Sequence, residues 1–471
     1  MPMALSAGLT AVLVFLVART VLGAGGGLLA AAVYLTFGMV FFVGIFCVLD
    51  SIFTLMLTGS IAAFYFAHRE ARPGRKNLLL AVAGAACGLA FLTKGFLALV
   101  LPALVFGAFL LWQRGFRAFL KTIWIPLAVM AAIAAPWSVA IHLRAPGFWR
   151  QFIWTEHFGR VTGAPGLHNH PVWFYLPFLL AGLLPWTFLA GVPALGLKHA
   201  DLRRPGLRLC LLWAALPFLL FTAASGKLGT YILPCFAPLA ILWSAGLLEY
   251  FRRGGMRLWT FGLRLISGCT LTAAVGLAIL QLIAATAKPY GPDETWKWII
   301  AAGAGGLWAL ATWRAATTRS LGVGVGLFLS VPVLMMFVAP YSLPDIALVK
   351  APEAFLRRNL RHVDGNAILA ATPEIAYAVC WVYQRDDVKV LGGLETGMKE
   401  PDGDKREMSY SQFRQFLADR AAGGPVVIIG DAKHLDSLKN GDPKHPVPLK
   451  DPLPGSSLMD SDDWLMFYRL P

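Results

Sequence analysis

The chain has 471 residues, 57% of them hydrophobic and only 14% charged, with a mean hydropathy of +0.63. A soluble fold has no means of hiding that much apolar surface, so composition excludes a water-soluble protein and leaves a polytopic membrane protein. The formal charge of +15 does not point to nucleic acid, because much of the Lys/Arg excess sits in short loops between apolar segments, where membrane orientation requires it.

About twelve apolar segments are long enough to span as helices. They run roughly over 3–22, 28–47, 51–67, 77–92, 95–112, 122–142, 173–193, 207–223, 229–249, 259–285, 296–313 and 320–340. The pair flanking Lys94 reads either as two full helices or as two shorter, bent pieces. Five connections are basic: Arg69/Arg72/Arg75/Lys76, Arg114/Arg117/Lys121, Lys198/Arg203/Arg204, Arg252/Arg253/Arg257 and Arg314/Arg319. They fall on alternate turns of the chain, the positive-inside pattern of cytoplasmic loops. The connections at 48–51, around Lys94, at 143–172, 225–230 and 288–294 then face out, as does the chain after Pro340.

Extended backwards, this alternation puts the 25–27 turn inside and Met1 outside. No Lys or Arg precedes the first apolar run, so it is not a convincing signal peptide. An unsignalled outer N-terminus leads to the expectation that an earlier helix is missing from the recorded chain. Residues 1–342 are expected to form the transmembrane domain and 343–471 a small extracytoplasmic α/β domain. In that tail, strand-like AILAA, VKVLG, VVIIG and WLMFYRL alternate with helix-like EAFLRRNL and YSQFRQFLADRAA. The six cysteines form no disulfide framework and no CxxC metal motif. Gly392–Gly393 and Gly423–Gly424 read as turn glycines, and no nucleotide-binding motif is evident.

Asp50 is the sharpest single signal. It is the only acidic residue among the first 69, at the outer end of an apolar helix in FCVLDSIFT. A carboxylate at such depth is costly and needs a polar partner or a function. It reads either as a helix cap for the segment starting at Ser51 or as a general base or nucleophile-positioning group. Lys94, between Thr93 and Gly95, is either a snorkelling lysine or a phosphate grip. Lys227 and Tyr231 in ASGKLGTYILPC repeat that arrangement at another outer turn. The loop from Arg144 to Trp173 adds Arg150, Glu156, His157, Arg160, His168 and His170, interleaved with Trp149, Trp154 and Trp173. Several cations on one side without a matching acidic excess favour a phosphate-bearing ligand. The histidines with Glu156 do not have zinc-motif spacing, so hydrogen bonding is favoured, with His157 the one weak candidate for a metal ligand.

The stretches VLDSIFTLMLT, GLAFLTKGFLALVLP, PWSVAIHLRAPGFWRQFIWTEHFGR, PVWFYLPFLLAGLLPW and GKLGTYILPCFAPLAIL together make the chain resemble the lipid-phosphate-sugar glycosyltransferases of the protein O-mannosyltransferase superfamily. Within it, the chain looks most similar to the lipid A aminoarabinose transferases. The resemblance implies a GT-C type bundle with a periplasmic C-terminal domain in a bacterial inner membrane. It also implies an undecaprenyl-phosphate sugar donor and lipid A, or another periplasmic acceptor. By resemblance, Asp50 matches the second of two functional aspartates. Lys94, His157, Arg160, Lys227 and Tyr231 fall in segments that line the donor pocket. The family's first outer loop, with its first catalytic carboxylate and a Glu-Lys-Pro-Pro-like motif, has no counterpart in the sequence. A divalent metal, where relatives hold one, draws on that same loop. A related transferase acting on protein or another glycan, a catalytically incomplete remnant and a secondary transporter stay as alternatives. The transporter is disfavoured because no internal repeat appears and the polar residues gather at one face rather than at midplane.

Overall fold

The computed structural model describes residues 2–45, 48–159, 162, 169–283, 288–291, 294–344, 353–358, 360, 363, 367–391, 406–418, 426–430 and 466–470. The chain divides into two compact units, Met1–Lys288 with Pro292–Ser342, and Pro289–Gly291 with Leu343–Pro471.

The first unit is an all-helical bundle. Among the described residues, eight helices are long and apolar enough to cross a membrane: Pro2–Thr36, Asp50–Arg69, Pro73–Lys94, Leu97–Arg114, Phe116–Arg144, Pro205–Ala223, Gly229–Arg252 and Arg257–Ile283. Helix is the open-chain solution in lipid, because it pairs its own backbone groups where water is absent. Pro73 and Pro205 sit in first turns, where a missing N–H costs nothing. The helices on either side of Lys94 are full length, at 22 and 18 residues.

Of the other four expected segments, two are interrupted and two are continuous helices. Segment 28–47 continues from the first helix and resumes as Gly38–Ile45. The reversal expected at 25–27 occurs earlier, at Gly23, whose φ of +79° suits glycine. It brings Gly27 back against Phe15 and Arg19. The expected span 173–193 is a broken passage: a 3₁₀ turn Val172–Phe174, a helix Tyr175–Gly182, a second turn Trp186–Leu189 and a helix Gly191–Leu197. Pro185 lacks an N–H for the helical ladder, and its peptide bond to Leu184 is cis. Trp186 anchors this passage by donating from Nε1 to Thr36 Oγ1 at 2.9 Å. Segments 296–313 and 320–340 correspond to helices Thr295–Thr317 and Leu321–Ser342.

Burial ranks the spans. In the most apolar stretch of Gly229–Arg252, 83% of residues are buried, against 11% in Phe116–Arg144 and 17% in Arg257–Ile283. The first is thus the bundle's centre, and the other two present apolar side chains outward, as lipid contact requires. Side-chain bonds to neighbouring backbones join the helices: Ser60 to the Ala83 carbonyl at 2.9 Å, Ser267 to Ala309 at 2.7 Å, Trp308 to Phe328 at 2.8 Å.

The second unit is α/β. Strands β1 (Ile368–Ala371), β2 (Lys389–Leu391), β3 (Glu407–Met408), β4 (Val426–Gly430) and β5 (Met466–Leu470) form one sheet in the order β3-β2-β1-β4-β5. All neighbours are parallel except β4 with β5. Every residue of β4 is buried, as a central strand's continuous apolar run requires. Helix Pro373–Tyr383 connects β1 to β2 and buries Ile375, Ala376 and Val379 in this unit's core. Sequence reading anticipated neither that helix nor β3. Helices Glu353–Arg358 and Tyr410–Ala418 match the two helix-like runs. Gly392, Gly393, Gly423 and Gly424 lie outside the described residues.

Candidate active site

Asp50 opens the Asp50–Arg69 helix and Lys94 closes the Pro73–Lys94 helix. A short turn makes these two helices antiparallel neighbours, so the start of one meets the end of the other. Each charge suits its helix end, a carboxylate at an N-terminus and an ammonium at a C-terminus. Lys94 Nζ donates to Asp50 Oδ1 at 2.5 Å, and both side chains are largely buried, at 17% and 11% exposure. Asp50 is therefore the first helical residue and an ion-pair partner, while Leu49 occupies the cap position. The ammonium also lies 4.5 Å from the centre of the Tyr231 ring and 5.8 Å from that of Phe53. These rings face the cation with their negative π surfaces.

Gly95 ends the lysine helix at a φ of +66°. A Cβ there would lie 2.4 Å from Phe152 Cζ and 3.2 Å from His157 Cε1. The turn bearing Lys94 is thus pressed against the π-helical stretch Gln151–Gly159. His157 Nδ1 bonds to the Phe152 carbonyl at 2.8 Å, and its ring meets Phe96 and Phe152 edge-on. Phe152 in turn contacts Phe148 and Trp149, and Trp149 contacts Trp137. An aromatic wall therefore stands beside the ion pair.

A second polar group stands at the 225–229 turn. Lys227 is only 2% exposed. Its Nζ donates to the His170 carbonyl at 3.0 Å and to the Ala224 carbonyl. Burial pushes its pKa below the ordinary lysine value. The His170 N–H bonds to the Ser225 carbonyl at 3.1 Å, and the His170 ring stacks on Phe174 at 4.2 Å. Lys227 thereby ties the end of the long loop to the segment that runs on to Tyr231.

The structure thus brings Asp50, Lys94 and Tyr231 together, sets His157 against the Lys94 turn, and joins Lys227 to His170. Arg150 ends the short helix Phe148–Arg150 with an exposed side chain. Arg160, His168 and the Glu156 side chain lie outside the described residues. Among the described residues no three His, Cys, Asp or Glu gather as a metal site. His157 has Nδ1 engaged by the Phe152 carbonyl, with Phe96 and Phe152 edge-on to its ring. Sequence analysis assigned Tyr175 no role in the site. It is buried, in electrostatic reach of Tyr231 and Asp50, and its depth followed from the broken 172–197 passage.

In this arrangement a carboxylate and an ammonium neutralise one another until a third charged group arrives. A phosphate can take over Lys94 and free the carboxylate to act on a second substrate.

Known proteins share both sequence and fold with the chain. A family model described as dolichyl-phosphate-mannose-protein mannosyltransferase matches residues 1–142. One described as the C-terminal domain of the arabinosyl transferase ArnT matches residues 348–450. An undecaprenyl phosphate-alpha-4-amino-4-deoxy-L-arabinose arabinosyl transferase of Shewanella sediminis is 33% identical over 406 residues, covering 84% of this chain and 73% of that protein. The enzyme of the same name from Aeromonas salmonicida is 32% identical, covering 85% and 74%. Among solved structures, ArnT from Cupriavidus metallidurans bound to undecaprenyl phosphate superposes with a TM-score of 0.77 at 20% identity, over 99% of this chain and 83% of that one. Its apo form gives 0.75. The fold is theirs, and on the strength of the sequence relatives the chain belongs to the family of undecaprenyl phosphate-alpha-4-amino-4-deoxy-L-arabinose arabinosyl transferases.

Proposed function

We propose that this chain moves 4-amino-4-deoxy-L-arabinose from undecaprenyl phosphate to a phosphate of lipid A, at the periplasmic face of the bacterial inner membrane. The observation that carries the reading is the buried Asp50–Lys94 pair beneath Tyr231, in a family whose named members use that donor. An acceptor oxygen attacks the anomeric carbon, the bond from that carbon to the donor phosphate oxygen breaks, and undecaprenyl phosphate leaves with the negative charge. Lys94 binds the donor phosphate and stabilises that charge as it develops. Asp50, released from Lys94, acts as general base or orients the acceptor. The Phe96, Phe152 and Trp149 wall shields the reacting centre from water. The basic connections of the bundle then face the cytoplasm, and residues 343–471 the periplasm. Arg150, Glu156, Arg160, His168 and His170 are further donor-binding candidates on the same loop.

The test is transfer in proteoliposomes supplied with the aminoarabinose lipid donor and lipid A, read as the mass gained by lipid A. The gain is expected for the chain and absent for Asp50→Asn at unchanged protein recovery. Full activity in Asp50→Asn would remove the carboxylate's role, and labelling of a protein or glycan in place of lipid A would change the acceptor.

A further inference from the structure

At the opposite end of the same four helices lies a second cleft, of about 210 Å³, that the transfer reaction does not use. The ends of Asp50–Arg69, Pro73–Lys94, Leu97–Arg114 and Phe116–Arg144 enclose it, and Lys76, Arg114, Lys121 and His68 line it. Among the described residues none of the three permanent cations there is in an ion pair. The carboxylate of that connection, Glu70, is engaged by Arg75 at 3.4 Å instead. The His68 ring is held edge-on against Phe109 at 5.1 Å, which fixes it in the cleft wall.

A positive-inside bias accounts for cations near a membrane surface but not for their convergence on one cleft. A second observation identifies the ligand. Directly deeper between the same helices runs another crevice, lined almost wholly by hydrocarbon and sharing Phe64, Leu110 and Thr122 with the basic cleft. A cationic mouth that shares part of its wall with an apolar crevice matches an anionic head group carrying a hydrocarbon chain.

We propose that this cleft binds a phospholipid of net negative charge, its phosphate between Lys76, Arg114 and Lys121 and one acyl chain in the crevice beneath. The site lies at the other end of these helices from Asp50 and Lys94, so it is distinct from the donor pocket. Lipid held there pins the hairpin whose far end carries the catalytic ion pair, and so stabilises the bundle.

The experiment is thermal unfolding of the whole chain in nanodiscs of phosphatidylglycerol or phosphatidylcholine, with lipid retention measured by native mass spectrometry. We expect phosphatidylglycerol to be retained and to raise Tm over phosphatidylcholine. The retention preference should drop about fivefold for each cation removed in Lys76→Gln, Arg114→Gln and Lys121→Gln. Arg114→Gln alone, at an exposed helix end, serves where the triple variant does not fold. A second arm adds inorganic phosphate to the chain in phosphatidylcholine. No effect there supports a lipid, and stabilisation equal to that by phosphatidylglycerol overturns the lipid in favour of a free anion. Equal retention of the two lipids, or an unchanged preference in Arg114→Gln, overturns the site.

Discussion

Replacing Lys94 by methionine strands the Asp50 carboxylate in a pocket where it is 11% exposed. At 2.5 Å two unit charges attract by about 7 kcal/mol at an effective dielectric constant of about 20. Most of that only offsets the desolvation of both groups, so the measurable cost of removing one partner is about 3–5 kcal/mol. Asp50→Asn leaves Lys94 as the unpaired charge but costs less, because the asparagine Oδ1 still accepts a hydrogen bond from it and Lys94 keeps its place over the Tyr231 ring, a contact of about 0.5–2 kcal/mol. The double variant should therefore recover at least about 1.5 kcal/mol against the sum of the singles, a coupling in the range for residues in direct contact. Chemical denaturation of the four proteins in one detergent measures it. Binding of undecaprenyl phosphate separates the roles. Lys94→Met should weaken it at least about tenfold, equal to about 1.4 kcal/mol. Asp50→Asn should leave it equal or tighter, since a competing carboxylate is gone, while transfer falls about 10²–10⁴-fold. Coupling below about 0.5 kcal/mol, or equal weakening of lipid binding by both single variants, would refute the reasoning.

Gly95→Ala combines an unfavourable φ of +66° with a Cβ set 2.4 Å from Phe152. It should destabilise by about 1–3 kcal/mol and change the fluorescence of the adjacent Trp149, whereas an unperturbed spectrum would mean the Lys94 turn is not pressed against that stretch. Lys227→Met leaves the His170 and Ala224 carbonyls without their donor. At about 1–3 kcal/mol per buried group, it should speed hydrogen exchange of the His170 amide, which bonds to the Ser225 carbonyl, and unaltered exchange would argue against the clamp. In the second unit, two hydrogen bonds from Arg385, at 2.7 and 2.6 Å, hold the Asp387 pKa below its ordinary value. That contribution is present above the ordinary carboxylate range and lost as pH falls through the lowered value. The pair is more than half exposed at Asp387, so it is worth at most about 1 kcal/mol. Asp387→Asn should lower hydrogen-exchange protection of β2 at neutral pH and match the parent protein in acid. A difference that persists in acid would assign it to packing.

Much of this architecture follows from local sequence, because lipid leaves the backbone little besides helix to form. Apolar length alone located the spans, and the alternation of basic loops placed Asp50, Lys94 and Lys227 near one end of the bundle. Even the central ion pair follows from hairpin arithmetic, since Asp50 and Lys94 each lie 22 residues from Arg72. Other features required tertiary structure. Segment 173–193 reads as one hydrophobic span, but Pro185 and the Trp186–Thr36 bond break it into pieces and bury Tyr175 beside the site. The contact of Gly95 with Phe152 and His157 joins segments over fifty residues apart, and no local pattern encodes such a pairing. Lys227 looks in sequence like the twin of Lys94, but its ammonium is committed to two carbonyls. Composition sets which groups the membrane pushes to its surface. Which of them meet, and which are already satisfied by the protein itself, is decided by packing between distant helices.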